Sequence, residues 1–186
     1  MAYASSAMGR VFEKGASEKI KRKFEKILRR IWDYEVIHYE FCRWIIENVK
    51  TSKGKKPSFG EAAKVTDYML KVLISYCHFP SVKEAGRIAP KLNGIIDNFA
   101  LLYLKRKYGG FKGIFSLAQI DIKVYLELQR LLRREAATEG MTAVEYDEIL
   151  WRRLVKEDIA PHTIREEVSS SAMEERGNRF RRGREE

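Results

Sequence analysis

Ser58-Phe-Gly-Glu61-Ala-Ala-Lys64-Val-Thr-Asp67-Tyr-Met-Leu-Lys71-Val-Leu-Ile-Ser75-Tyr76 decides the fold. Ser58 and Glu61 stand three residues apart, the spacing of a capping box. The serine hydroxyl accepts from the Glu61 backbone N–H, and the glutamate carboxylate reaches back to the Ser58 N–H. A helix therefore starts here. Along it Val65, Met69, Val72, Leu73 and Tyr76 recur on one face, while Lys64, Asp67, Lys71 and Ser75 share another. The same signature recurs twice. Ser116 with Gln119 predicts a helix over Leu117 to Ala137, striped by Ile120, Val124, Leu128, Leu131 and Leu132, with Gly140 closing it or the turn after it. Thr142 with Glu145 predicts another, with Tyr146, Ile149, Leu150, Leu154 and Val155 inward. With no convincing alternating run and only four prolines, the chain reads as all-α, a compact bundle of six or more helices.

Working outward, Met1 to Ala16 reads as a flexible leader, 17–165 as the helical domain, and 166–186 as a disordered Arg-rich tail. Ser17 is placed to cap a helix with Ile20, Phe24, Ile27, Leu28, Ile31 and Trp32 at spacings of three and four. The pattern runs on through Tyr34, Ile37, His38, Phe41, Cys42, Trp44, Ile45 and Val49, with a bend at Asp33 to Glu35. His38 reads as a hydrogen-bonded core histidine, and Cys42 and Cys77 as buried thiols without a disulfide or zinc partner. Cys77-His-Phe-Pro80 breaks the long Ser58 helix, and a short one follows over Ser81 to Ile88. Asn98 to Lys107 is helical, with Gly109 placed to end it and Asp97 placed to cap it or to lie in its first turn.

The 186 residues are 45% hydrophobic and 33% charged, enough apolar material for a real core. No apolar run approaches the roughly 18–20 residues of a membrane span, and no signal-type segment opens the chain. A soluble intracellular protein, cytoplasmic or nucleoid-associated, is the expectation, and the bias to Lys, Arg and Glu over Asn and Gln points to a thermophile. Lys and Arg number 36 against 26 Asp and Glu, a net +10. That sign points to a polyanion partner, DNA ahead of RNA, with a generically basic surface as the plain alternative. The densest cations are Lys19, Lys21, Arg22, Lys23, Lys26, Arg29 and Arg30, opposite the first apolar stripe. The loop Thr51 to Pro57 adds Lys53, Lys55 and Lys56 next to Lys50, at a helix N-terminus where a phosphate would be well satisfied. Gly109 to Gly113, with Lys105, Arg106, Lys107, Tyr108 and Lys112, suits close phosphate approach and base stacking, although such loops also serve as turns.

Nucleophile triads, phosphate-binding glycine loops and metal-ligand spacings find no support, so no cofactor or metal is expected. What remains is Lys64 and Asp97, each at the start of a predicted helix. A lysine whose pKa is lowered by burial attacks a carbonyl-like carbon, and a carboxylate beside it moves a proton or stabilises cationic charge. The same two residues also read as a surface lysine and a helix cap. Gly60-Glu-Ala-Ala-Lys64-Val-Thr-Asp-Tyr-Met-Leu-Lys71 with Pro90-Lys-Leu-Asn-Gly-Ile-Ile-Asp97-Asn-Phe-Ala-Leu-Leu resembles the core of the helix-hairpin-helix DNA glycosylase superfamily. Gly140 to Trp151 is similar to a C-terminal helix of its small members, so the resemblance covers 56–157. It implies a DNA-repair enzyme in which Lys64 attacks the sugar C1′ of a damaged nucleotide and Asp97 is its carboxylate partner. Base flipping would then use an aromatic pocket, for which Tyr68, Tyr76, Trp44 and Phe99 are available. A catalytically silent relative, a non-enzymatic nucleoid or viral-coat packaging protein, and an interaction module with incidental charge are the competing expectations.

Overall fold

The computed structural model describes residues 11–28 and 33–156, and among these it is all-helical: seven α-helices and no strand. They are α1 (Ala16–Leu28), α2 (Tyr34–Asn48), α3 (Phe59–Lys71), α4 (Val82–Ile88), α5 (Asn98–Tyr108), α6 (Ile122–Thr138) and α7 (Ala143–Lys156). No helix is long and apolar enough to cross a membrane. The chain divides into two compact units, 1–148 and 149–186, and every candidate site residue lies in the first. The Arg-rich tail lies outside the described residues.

The α3 capping box is present in full: the Glu61 N–H donates to Ser58 Oγ at 3.1 Å, and the Ser58 N–H to Glu61 Oε2 at 2.9 Å. Asp97 caps α5 by accepting from the Ala100 N–H at 2.9 Å, and Gly109 ends that helix with φ of 64°, a conformation that favours glycine. Three expectations are corrected. Ser17 is the second residue of α1 and does not cap it, because the helix already begins at Ala16. Ser116 opens only a 3-10 turn, Leu117–Gln119; Asp121 caps the long helix, accepting from the Val124 N–H at 2.9 Å. The reason is tertiary. Ile120 is held extended to accept the Gly60 N–H at 3.0 Å, and a Cβ on Gly60 would lie 2.6 Å from that of Ile120. Cys77 is exposed where burial was expected.

The first residues of the described chain are docked. Phe12 is 3% exposed and bridges to Thr51; the Glu13 N–H donates to Lys50 O at 2.8 Å and the Ser52 N–H to Val11 O at 2.7 Å. The core runs through α1, α2, α3 and α6. Phe24 and Phe41 have ring centroids 5.0 Å apart, and Phe59 meets Tyr125 edge-on at 5.2 Å. Between the 3-10 turn Ala89–Lys91 and α5, the irregular stretch 92–97 crosses the interior. Leu92 and Ile96 are buried there, and at Gly94 a Cβ would meet Leu132 at 2.3 Å and the Ala143 carbonyl at 2.7 Å.

The polar face expected on α3 is not solvated. Asp67 is 1% and Lys71 7% exposed. Asp67 Oδ2 accepts from Tyr125 OH at 2.7 Å, and its Oδ1 lies 2.8 Å from His38 Nε2 without in-line hydrogen-bond geometry. The Cys42 thiol donates to Thr66 Oγ1 at 3.3 Å, so this buried network stitches α2, α3 and α6 together. His38 is thus the core histidine that its apolar neighbours predicted. Burial alone would lower its pKa, but Cys42 and Asp67 more than reverse this and hold it well above the usual imidazole value. At its C-terminal end α3 runs into a π-helical turn, Val72–Tyr76. A π turn carries more residues per revolution, so the α-helical phase slips, and Tyr76, expected inward, is 58% exposed.

Candidate functional site

Two arrangements follow from the predicted residues: a cationic flank and the Lys64–Asp97 pair. The flank is built by the contact between residues 11–13 and 50–52. It lays the loop after α2 against the entry to α1, where Lys14 is exposed, a cation that the pattern had left in the leader. On α1, Lys19, Lys21, Arg22 and Lys26 are exposed and Lys23 is half-buried, its Nζ 5.8 Å from the centre of the Trp44 ring. Lys19 spends part of its charge on Glu13, at 3.0 Å. Lys50, Lys53, Lys55 and Lys56 are exposed, and Thr51 shapes their turn by accepting the Lys55 N–H on its hydroxyl at 3.1 Å. Arg29 and Arg30 lie outside the described residues.

The α3 N-terminus does not offer the phosphate seat that the loop suggested. Its Gly60 and Glu61 N–H groups already donate to Ile120 O and Ser58 Oγ, and Ser58 Oγ donates to Leu117 O at 2.7 Å. The chain itself occupies the site a phosphate would need. The second basic cluster is also partly engaged by its own chain. Lys105 Nζ donates to Ile114 O at 2.5 Å and lies 4.3 Å from the centre of the Phe115 ring. Lys107 pairs with Glu135, a side chain only 6% exposed that also accepts from Tyr103 OH at 3.0 Å and from Tyr108 OH. Arg106 and Lys112 remain at the surface of this cluster.

Lys64 and Asp97, 33 positions apart in the sequence, come into one neighbourhood. Burial lowers the Lys64 pKa, against an opposing pull from the Asp97 charge. Burial raises that of Asp97, against the Ala100 N–H and the Lys64 charge. Each shift moves its group towards the neutral form, the direction that amine attack and proton transfer require. Asp97 is at the same time the α5 cap, so the cap reading and the pair reading describe one residue. Two of the aromatic side chains foreseen for a base pocket have partners of their own. Trp44 stacks on Phe41 beside α1, whereas Tyr76 gives its hydroxyl to Glu148.

Pattern alone missed Lys71, Asp147 and Glu148, which Tyr76 joins through its hydroxyl. Lys71 Nζ donates to Asp147 Oδ1 at 2.6 Å and lies 3.4 Å from Glu148, and Asp147 Oδ2 accepts the Ile95 N–H at 2.7 Å. Burial pushes the Asp147 carboxyl up to about 6 despite Lys71 and Ile95. Compared with protein-family models, with curated proteins and with solved structures, the chain matches none.

Proposed function

We propose that this chain binds nucleic acid, DNA ahead of RNA, along the flank formed by α1 and the Lys50–Lys56 loop. The observation that carries the reading is the docking of 11–13 on 50–52, which sets exposed loop lysines beside exposed α1 cations. A row of cations on a rigid surface releases the counterions condensed on a polyphosphate, giving affinity with little sequence preference and a steep dependence on salt. The test is fluorescence anisotropy with a labelled duplex across about 50–200 mM salt. Replacing Lys53, Lys55 and Lys56 together by alanine is expected to weaken binding and to flatten the log–log salt slope by about 2–3. An unchanged slope rejects the flank.

The catalytic extension of this reading is a base-excision glycosylase, favoured by the opposed shifts of Lys64 and Asp97. The Lys64 amine would attack C1′ of a damaged nucleotide, the N-glycosidic bond would break with departure of the base, and Asp97 would take the proton the amine gives up. Borohydride trapping on duplexes with damaged bases is expected to give a covalent adduct that Lys64→Ala abolishes. Trapping that fails, or that survives the substitution, removes the enzyme and leaves a packaging protein of nucleoid or coat type.

A further inference from the structure

The loop 109–113 follows α5 and stands clear of the body: a Cβ added at Gly109, Gly110 or Gly113 would meet nothing within 4 Å. Its base is nonetheless fixed. The Gly109 N–H donates to Lys105 O at 2.8 Å, the Ile114 N–H to Phe111 O at 3.1 Å, and Gln119 Nε2 to Gly113 O at 2.9 Å. In the middle of the loop Phe111 holds a φ of 61°, a left-handed backbone that a residue with a Cβ rarely adopts and that glycine would take without strain. Strain of this kind persists only where the surroundings impose it, and it clusters at active sites and ligand clamps. The strained residue presents a half-buried phenyl ring. Phe115, the neighbouring phenylalanine, is covered by Lys105, whose Nζ lies 4.3 Å from the ring centre; Phe111 has no such ring or cation partner among the described residues. Lys112, exposed beside it, forms no ion pair among them.

Hydrogen bonds tie this loop to the lysine loop. Gln119, which holds Gly113, ends the 3-10 turn Leu117–Gln119, and the Leu117 carbonyl accepts at 2.7 Å from Ser58 Oγ, two residues beyond Lys56. Both loops therefore meet the same end of α3. We infer that the polymer bound here is single-stranded nucleic acid, with a base stacked on Phe111 while its phosphates lie along Lys53, Lys55 and Lys56. The inference rests on the nucleic-acid reading of the flank and adds to it the form of the polymer. Inside a duplex the faces of each base are covered by its neighbours, whereas an unpaired base can turn one face to an aromatic ring, a contact tolerant of sequence because every base has such a face. A ring already held in place by the fold costs little to order on binding, and Lys112 supplies a cation for the adjoining phosphate.

Fluorescence anisotropy of the full chain with a labelled oligothymidylate of about 12 nucleotides, a duplex of equal length and the same strand without its bases tests the inference. The oligothymidylate is expected to bind about tenfold more tightly than either of the others. Phe111→Gly relieves the left-handed strain and is expected not to lower the melting temperature. It should weaken binding of the oligothymidylate about tenfold, while duplex binding and the salt slope stay as in the wild type. Phe111→Trp should keep the affinity, and its added fluorescence should be quenched by the single strand and not by the duplex. Equal wild-type binding of single strand and duplex, a Phe111→Gly variant that loses neither or loses both alike, or an unquenched Phe111→Trp overturns the stacking site and leaves the flank standing. Failure of all three probes to bind removes the flank and the stacking site together.

Discussion

Asp147 divides its carboxylate between Lys71 on one oxygen and the Ile95 N–H on the other. Its pKa nevertheless rises from 3.8 to about 6, because removal from water outweighs both partners. A carboxyl whose pKa is raised by folding binds its proton more tightly in the native state. Its contribution is therefore full below the unfolded value and is lost as pH climbs through the folded one. Urea melts of the wild type and of Asp147→Asn should show the wild type losing about 2.5 kcal/mol relative to the variant between pH 4 and pH 7. A difference independent of pH contradicts the raised value. This residue also marks what periodicity conceals. Asp67 and Lys71 fall on the polar side of α3 by spacing, yet their partners Tyr125 and Asp147 stand 58 and 76 positions away. Lys64 and Asp97 were legible because each sits beside a helix start; their mutual charge interaction belongs to the folded chain.

Capping residues set the elements, and their worth differs with what else they touch. Ser58 accepts the Glu61 N–H and also donates to the Leu117 carbonyl, so it fixes both the start of α3 and the turn packed on it. Ser58→Ala should cost about 1–2 kcal/mol by chemical denaturation, and Asp121→Ala about 1 kcal/mol. Ser116→Ala should stay within about 0.5 kcal/mol of wild type, since a short 3-10 turn follows it. Equal costs for Ser116 and Asp121 would return the start of the long helix to the earlier position. Helix identity and the ends of α5 were readable from Ser58, Asp97 and Gly109. The start of α6 was not, because Gly60 across the interface holds Ile120 out of helical geometry. The end of α3 was also hidden, since a π turn shifts phase without any glycine or proline to announce it.

At the scale of the molecule, net charge overstates the surface available to a polyanion. Lys107 is bound to a carboxylate 28 positions away, and Lys105 to a carbonyl and an aromatic face, so counting cations along the chain cannot separate those committed to partners within the fold from the rest. Lys107→Ala is expected to leave duplex affinity unchanged while lowering stability by about 1 kcal/mol, as the Glu135 network loses its cation. A tenfold loss of affinity in that variant would move the interface to the far end of α5. The stretch 92–97 has another consequence. Its backbone groups are claimed by three separate helices: the Asn93 N–H by Tyr34 OH at 2.9 Å, Gly94 O by Gln129 Nε2 at 2.7 Å, and the Ile95 N–H by Asp147. No local fraying frees these groups. The Asn93 and Ile95 amides, though outside any regular helix, should exchange with deuterium as slowly as the centre of α6, and only when the whole first unit opens.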